Sequence, residues 1–255
     1  MEKKMEKNRQ MTRAAFFDID GTLFRSSLLV EQFKLLVKRR IIDPDIWYDQ
    51  IKPLYDQYDK RYGEYDNYLL ALTTQYQDKL KGIRRDFIQE LSREVISRNK
   101  DIVYRITRNA IANHKENGFK IFFVSGSPDF LVDEFAKYYH ADESIGTTYI
   151  FDENDRFTGK VVPMWDSSNK KKAIKYLIDK YNVDVKNSFA YGDTNGDFTM
   201  LKAVGNPVAV NPSYEFIERM SADSNMREKV KVFVERKDVR YSFMLSGNHF
   251  NFQKF

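Results

Sequence analysis

The chain contains no cysteine in its 255 residues, which excludes a disulfide framework and thiol chemistry. Its three histidines, His114, His140 and His249, share no ligand spacing. With no cysteine to join them, they point to neither a zinc site nor histidine catalysis. No run of about 18 apolar residues occurs, so no membrane-spanning helix is expected. The first residues, Met1 to Lys7, lack the apolar stretch of a secretory signal. A cytoplasmic location is the expectation.

A strong charge of one sign is also lacking. The net charge is +5, but the first thirteen residues hold five basic side chains (Lys3, Lys4, Lys7, Arg9, Arg13) against two acidic ones (Glu2, Glu6). That stretch therefore supplies +3 of the excess, and the remainder is close to balanced. Residues 1–12, polar and without period, are expected to form a disordered basic tail. No nucleic-acid partner is expected.

What the chain does contain is an apolar strand that runs into two carboxylates: Phe16-Phe17-Asp18-Ile19-Asp20-Gly21-Thr22-Leu23. Residues i and i+2 of a strand point to the same side, which places Asp18 and Asp20 together just past the strand's end. Two such carboxylates repel unless a cation or a shared proton intervenes. Mg²⁺ suits the position, because it takes hard oxygen ligands from one or two carboxylates and phosphate oxygens. A pair that merely caps a helix is the bland alternative.

Further apolar strands end in similar turns. Phe119 to Val124 leads into Ser125-Gly126-Ser127-Pro128, and Ser188 to Tyr191 leads into Gly192-Asp193-Thr194-Asn195-Gly196-Asp197. A hairpin is expected over residues 149–162, a short strand over 207–210 and a last strand over 230–234. A helix over 170–181 follows a Ser167-Ser168-Asn169 capping region and begins with Lys170-Lys171-Lys172. Residues 25–100 are instead helical and tyrosine-rich. Tyr55, Tyr58, Tyr62, Tyr65, Leu69, Leu72 and Tyr76 recur at alternating steps of three and four, a spacing that predicts one helix packed along another.

Strands alternating with helices define an α/β fold with a mainly parallel sheet. The helical block interrupts the alternation after the first strand. The expected organisation is a discontinuous core of residues 13–24 and 101–255 with residues 25–100 inserted. Sites in such sheets form outside the carboxyl ends of the strands. Converging acids, hydroxyls, a lysine and backbone amides there suit Mg²⁺ and a phosphoryl group.

In this order the four pieces resemble the four motifs of the haloacid dehalogenase superfamily of phosphohydrolases. The inserted block resembles the helical cap of its phosphoserine-phosphatase-like subclass IB. The resemblance implies a Rossmann-like core with an inserted α-helical (C1-type) cap. It also implies a Mg²⁺-dependent phosphatase acting on a small phosphorylated metabolite through an aspartyl-phosphate. Asp18 would then be the nucleophile and Asp20 the general acid and base. The metal would be held by Asp18, the Asp20 carbonyl and Asp193, and Asp197 would orient the metal's waters or the lysine. Thr22, Ser125 and Gly126 would hold phosphate oxygens with one lysine, Lys171 by alignment, Lys170 and Lys172 being close competitors. Ser127 and Thr194 are taken as turn residues.

Two departures bear on the substrate. Phosphoserine phosphatases place a glutamate nine positions after the nucleophile, where this chain has Ser27, the nearest glutamate beyond being Glu31. Their Ser-Gly-Gly is here Ser125-Gly126-Ser127. A broader phosphatase of the subclass is therefore expected, with a phosphotransferase or a phosphoserine phosphatase proper as alternatives. Oligomeric state is not legible.

Overall fold

The structure, a computed structural model, describes residues 11–246. Its centre is an eight-stranded sheet. The strands are β1 (Ala14–Phe17), β2 (Lys120–Pro128), β3 (Glu143–Phe151), β4 (Phe157–Val162), β5 (Phe189–Gly192), β6 (Asn206–Val210), β7 (Lys231–Arg236) and β8 (Val239–Met244). Their spatial order is β4-β3-β2-β1-β5-β6-β7-β8. Pairing is parallel from β3 through β7, and only the edge strands β4 and β8 run antiparallel.

Strand β1 shows why the molecule has two layers of helix. Successive side chains of a strand face opposite ways, and all four residues of β1 are buried. Ala15 and Phe17 enter one apolar cluster, together with Ile121, Phe123 and Tyr191. Ala14 and Phe16 enter another, together with Phe122, Val124 and Ala190. The first cluster is covered by α1 (Leu28–Lys38), α3 (Tyr65–Leu80), α4 (Arg85–Asn99), α5 (Arg105–Glu116) and α6 (Asp129–Tyr139). The second is covered by α7 (Ser167–Tyr181), α8 (Phe198–Lys202), α9 (Tyr214–Ala222) and α10 (Ser224–Lys229). A bare apolar run is what a central strand covered on both faces requires.

The chain departs for its helical block at Phe24 and returns at Val103, where the two crossings pair as an antiparallel bridge. Arg25 N donates to Ile102 O and Tyr104 N to Leu23 O, each at 3.0 Å. A second seam ties residues 82–85 to the β3–β4 hairpin. Gly82 N donates to Phe157 O at 2.8 Å, Phe157 N to Ile83 O at 2.9 Å and Arg85 N to Asp155 O at 2.9 Å. Within the block, Gln32 of α1 donates to Ser92 of α4 at 3.0 Å and accepts the Tyr76 hydroxyl of α3. Those buried polar groups hold three helices in one register.

Several expectations are corrected. The tyrosine stripe does not run along one helix. It is cut between α2 (Lys52–Asp59) and α3 by a turn in which Arg61 takes a left-handed φ of 64°. Tyr62 stands 87% exposed in that turn. Gly63, which weakens a helix interior, marks the break. Of the expected tail, residues 1–10 lie outside the described residues, but Thr12 belongs to the fold: its amide donates to Asn182 O at 3.0 Å and it bridges Val183. The expected last strand at 230–234 is followed by one more, β8, mostly exposed, in which Val239, Tyr241 and Phe243 alternate with polar residues. Among the described residues no helix is long and apolar enough to cross a membrane.

His114 of α5 lies buried on the sheet, its Nε2 2.8 Å from the Tyr191 hydroxyl. Burial takes the imidazole from its ordinary 6.5 down to about 4. The unfolded chain therefore binds a proton near pH 6 that the folded chain refuses, and stability is lost as pH falls from 6.5 towards 4. Urea melts should show a loss on the order of 1–2 kcal/mol from this group between pH 6.5 and 5. In His114→Phe the melts should fall less over the same interval; equal pH slopes in the two proteins would refute the assignment.

Candidate active site

Three neighbouring strands deliver the acidic and hydroxyl residues to one place. Phe17 of β1 lies level with Phe123 of β2 and with Tyr191 of β5, so Asp18, Ser125 and Asp193 leave the sheet side by side. Asp18 N donates to Tyr191 O at 3.0 Å and continues the ladder one residue further. Gly21 turns the chain over the site with φ +83°, and a Cβ there would lie 2.2 Å from Asp193 Oδ2. Only glycine fits that backbone and that approach.

Asp18, Asp193 and Asp197 each offer a carboxylate oxygen, and these oxygens lie within 4.8 Å of one another. One cation stands among them. Lys170 is buried, with Nζ 2.6 Å from Asp18 Oδ1 and 2.5 Å from Asp197 Oδ1. Lys171, favoured by alignment, is exposed, as is Lys172. The physical reason is helix phase. The buried face of α7 is Lys170, Ala173, Ile174 and Leu177, and the apolar stripe extended back by three positions meets Lys170. Asp166, not the serines after it, caps the helix, its side chain accepting Asn169 N at 2.8 Å.

Asp197 has little left to give a metal. Its Oδ1 accepts Lys170, and its Oδ2 accepts Asp193 N at 3.1 Å and Thr194 N at 3.0 Å. It therefore holds the lysine and the loop, and Thr194 joins it in a reciprocal capping box. Thr22, expected on the phosphate, instead donates its hydroxyl to Asp193 Oδ1 at 2.9 Å, while its amide donates to Ile19 O at 3.2 Å. The Asp20 side chain lies outside the cluster of three. It accepts Leu28 N at 2.8 Å, at the start of α1, and the Ser127 hydroxyl at 2.5 Å. Ser127, taken as a turn residue, is thus a site residue; its place two positions after Ser125 on a buried strand end is the signal that could have found it. Ser125 Oγ accepts Ser127 N at 3.1 Å, and Gly126 leaves just enough room for Trp165, whose Cβ would be 3.1 Å from an added Cβ.

The electrostatics follow from burial. Burial pushes Asp18 up to about 8, opposed mainly by Lys170 and aided by Asp197 and Asp20. Asp193 is held well above the usual carboxylate range by burial and then by Asp18. Asp20 is raised by burial, against the hydrogen bonds from Ser127 and Leu28. Burial works against the charge of Lys170, yet Asp18 and Asp197 outweigh it and its ammonium is stabilised. One ammonium among this many carboxylates leaves negative charge unbalanced. The donor set is all oxygen, so a hard divalent cation such as Mg²⁺ fits between Asp18 and Asp193.

A mainly parallel sheet with acids gathered past the ends of its central strands is the core of an α/β hydrolase. The chain belongs to the haloacid dehalogenase-like hydrolases, whose pattern residues 15–202 match. It is 27% identical over 219 residues to the inhibition of morphological differentiation protein of Streptomyces azureus, covering 83% of this chain and 76% of that one. Over 205 residues it is 27% identical to a probable phosphatase of Mycobacterium tuberculosis strain H37Rv, covering 78% and 69%. Its fold superposes with a TM-score of 0.57 on a hydrolase of the same family from Salmonella enterica serovar Typhi, 20% identical over 82% of this chain and 66% of that one.

Lys170→Met should leave buried carboxylates facing each other and cost about 3 kcal/mol in denaturant melts. Lys171→Met should stay within about 0.5 kcal/mol of the wild type. Added Mg²⁺ should restore more of the loss in Lys170→Met than it adds to the wild type, and a Lys171→Met protein that proves the less stable would reverse the assignment.

Proposed function

We propose that this enzyme hydrolyses a small phosphomonoester in a Mg²⁺-dependent reaction through an aspartyl-phosphate on Asp18. The observation that supports it best is the meeting of Asp18, Asp193 and Lys170 at the ends of adjacent strands. The relative named a probable phosphatase supports the same chemistry. Mg²⁺, held by Asp18, the Asp20 carbonyl and Asp193, would supply the positive charge that lets a carboxylate approach a phosphate dianion.

Asp18 attacks phosphorus in line, the bond to the leaving oxygen breaks, and Asp20 gives that oxygen its proton. The environment of Asp20 suits this, because its carboxyl is raised by burial and can carry a proton to deliver. Its two hydrogen bonds, from Leu28 N and Ser127, fix where that proton points. Asp20 then takes a proton from a water molecule whose oxygen attacks the same phosphorus. Phosphate departs and the Asp18 carboxylate is regenerated. Lys170 holds Asp18 in its attacking position and offsets charge on the phosphoryl oxygens, with Ser125 and the Gly126 amide holding those oxygens. Thr22 keeps Asp193 in place. The helices of residues 25–100 would close the site from above as its cap.

With Mg²⁺ present, phosphate release from a panel of phosphomonoesters should fall about 10³-fold or more in Asp18→Asn and vanish with EDTA. Acid quenching with labelled substrate should leave phosphate on the wild-type chain and none on the variant. Ser127→Ala should lower kcat about 10-fold with little change in KM, as expected for a group that orients the proton donor. Release that is indifferent to Asp18 or to EDTA would refute the proposal.

A further inference from the structure

Arg25 stands five residues after Asp20, on the stretch that leaves the site for the helical block. Its backbone is fixed by the hydrogen bond to Ile102 O, one rung from the Tyr104 amide bound to Leu23 O. Its guanidinium lies over the Tyr104 ring, 5.9 Å from the centroid. The side chain is exposed, and no carboxylate among the described residues pairs with it.

Tyr104 connects this cation to the site. Its phenol is raised by burial and by the Asp193 carboxylate, and lowered by Arg25, so it lies within the field of both. Tyr65, at the first position of α3, is raised by burial and then by Asp20, and its ring packs 5.1 Å from that of Tyr58. Two phenols thus stand near the carboxylates on the side of the helical block, and Arg25 lies over one of them, next to Phe24, which bridges Asp20. Two carboxylates nearby are engaged elsewhere: Glu31 pairs with Lys34 at 2.9 Å and accepts Ser26 Oγ at 3.2 Å, and Glu235 accepts the amides of Arg105 and Ile106.

Resting on the phosphatase assignment, we propose that Arg25 sets substrate specificity by binding an anionic group, a carboxylate or a second phosphate, on the leaving group. The transferred phosphoryl group is served by the buried Lys170, beside the nucleophile. Arg25 is exposed and pairs with no carboxylate among the described residues. A guanidinium resting on an aromatic face gives up less conformational freedom on binding and presents two parallel N–H donors to an oxyanion.

The test is a kinetic comparison of full-length wild type, Arg25→Gln and Arg25→Lys, with Mg²⁺, on five phosphomonoesters. Phosphoglycolate and propanediol bisphosphate carry the two anionic leaving groups, glycerol 3-phosphate a neutral one and phosphoethanolamine a cationic one. Para-nitrophenyl phosphate reports the bare chemistry. The wild type should favour at least one anionic substrate over phosphoethanolamine by about 10-fold or more in kcat/KM. Arg25→Gln should raise KM for that substrate about 10-fold, with kcat unchanged and glycerol 3-phosphate within about twofold. Arg25→Lys should fall between. A uniform loss on all five substrates would show that Arg25 serves the phosphoryl group and would overturn the proposal. A wild-type preference for phosphoethanolamine would overturn it as well. If para-nitrophenyl phosphate and the rest all go unhydrolysed by the wild type, the phosphatase assignment itself falls and this one with it.

Discussion

Asp18, Asp193 and Asp197 gather past the ends of neighbouring strands, with the ammonium of Lys170 between Asp18 and Asp197 and the Asp20 side chain beside that cluster. Carboxylates so placed cannot all be charged without help, and each is stabilised by a specific partner. Lys170 spans Asp18 and Asp197. Thr22 donates to Asp193, and Ser127 with the α1 amide of Leu28 donates to Asp20. Removing a partner from such a set exposes an uncompensated buried charge, so the glycine turn at 21, the first turn of α7 and the capping box at 194–197 are all bound to this one electrostatic constraint.

The fold meets that constraint through adjacency. Strands β2, β1 and β5 are parallel neighbours, so their carboxyl ends lie in one plane although the sequence separates them by up to about 175 positions. The helical block enters through the same end of the sheet. Its apolar residues are continuous with those beneath α6, and its second seam to the β3–β4 hairpin is made of backbone hydrogen bonds. Tyr65 and Tyr104 lie within the field of the acids on that side. In the proposed reaction, substrate selection would fall to side chains from the crossings and helix starts, beside carboxylates positioned by the sheet.

The same architecture explains which departures from expectation matter. The helical stripe over residues 55–76 was broken by Arg61 and Gly63, yet Tyr55, Tyr58, Tyr65 and Tyr68 still pack against one another across the break. Spacing of three and four identifies a packed face; it does not say that the face belongs to one helix. Strand β8 shows the converse: Val239, Tyr241 and Phe243 alternate with polar residues in the sequence, yet the strand is a mostly exposed edge.

What the amino-acid order determined by itself was local: a buried strand ending in Asp-x-Asp-Gly-Thr, two more strands with polar turns, and a helical block after the first. Those features carry their own periodicity and turn chemistry, so the α/β class and the four aspartates were legible in the sequence. The lysine was half legible, since the stripe Ala173, Ile174 and Leu177 pointed back to Lys170 while three lysines in a row concealed it. Tertiary structure alone decided that Ser127 holds Asp20, that Thr22 serves Asp193 and that Arg25 lies over Tyr104. Hydrogen bonds between residues a hundred positions apart leave no periodic trace in the chain, because they depend on which strands become neighbours and not on any local preference.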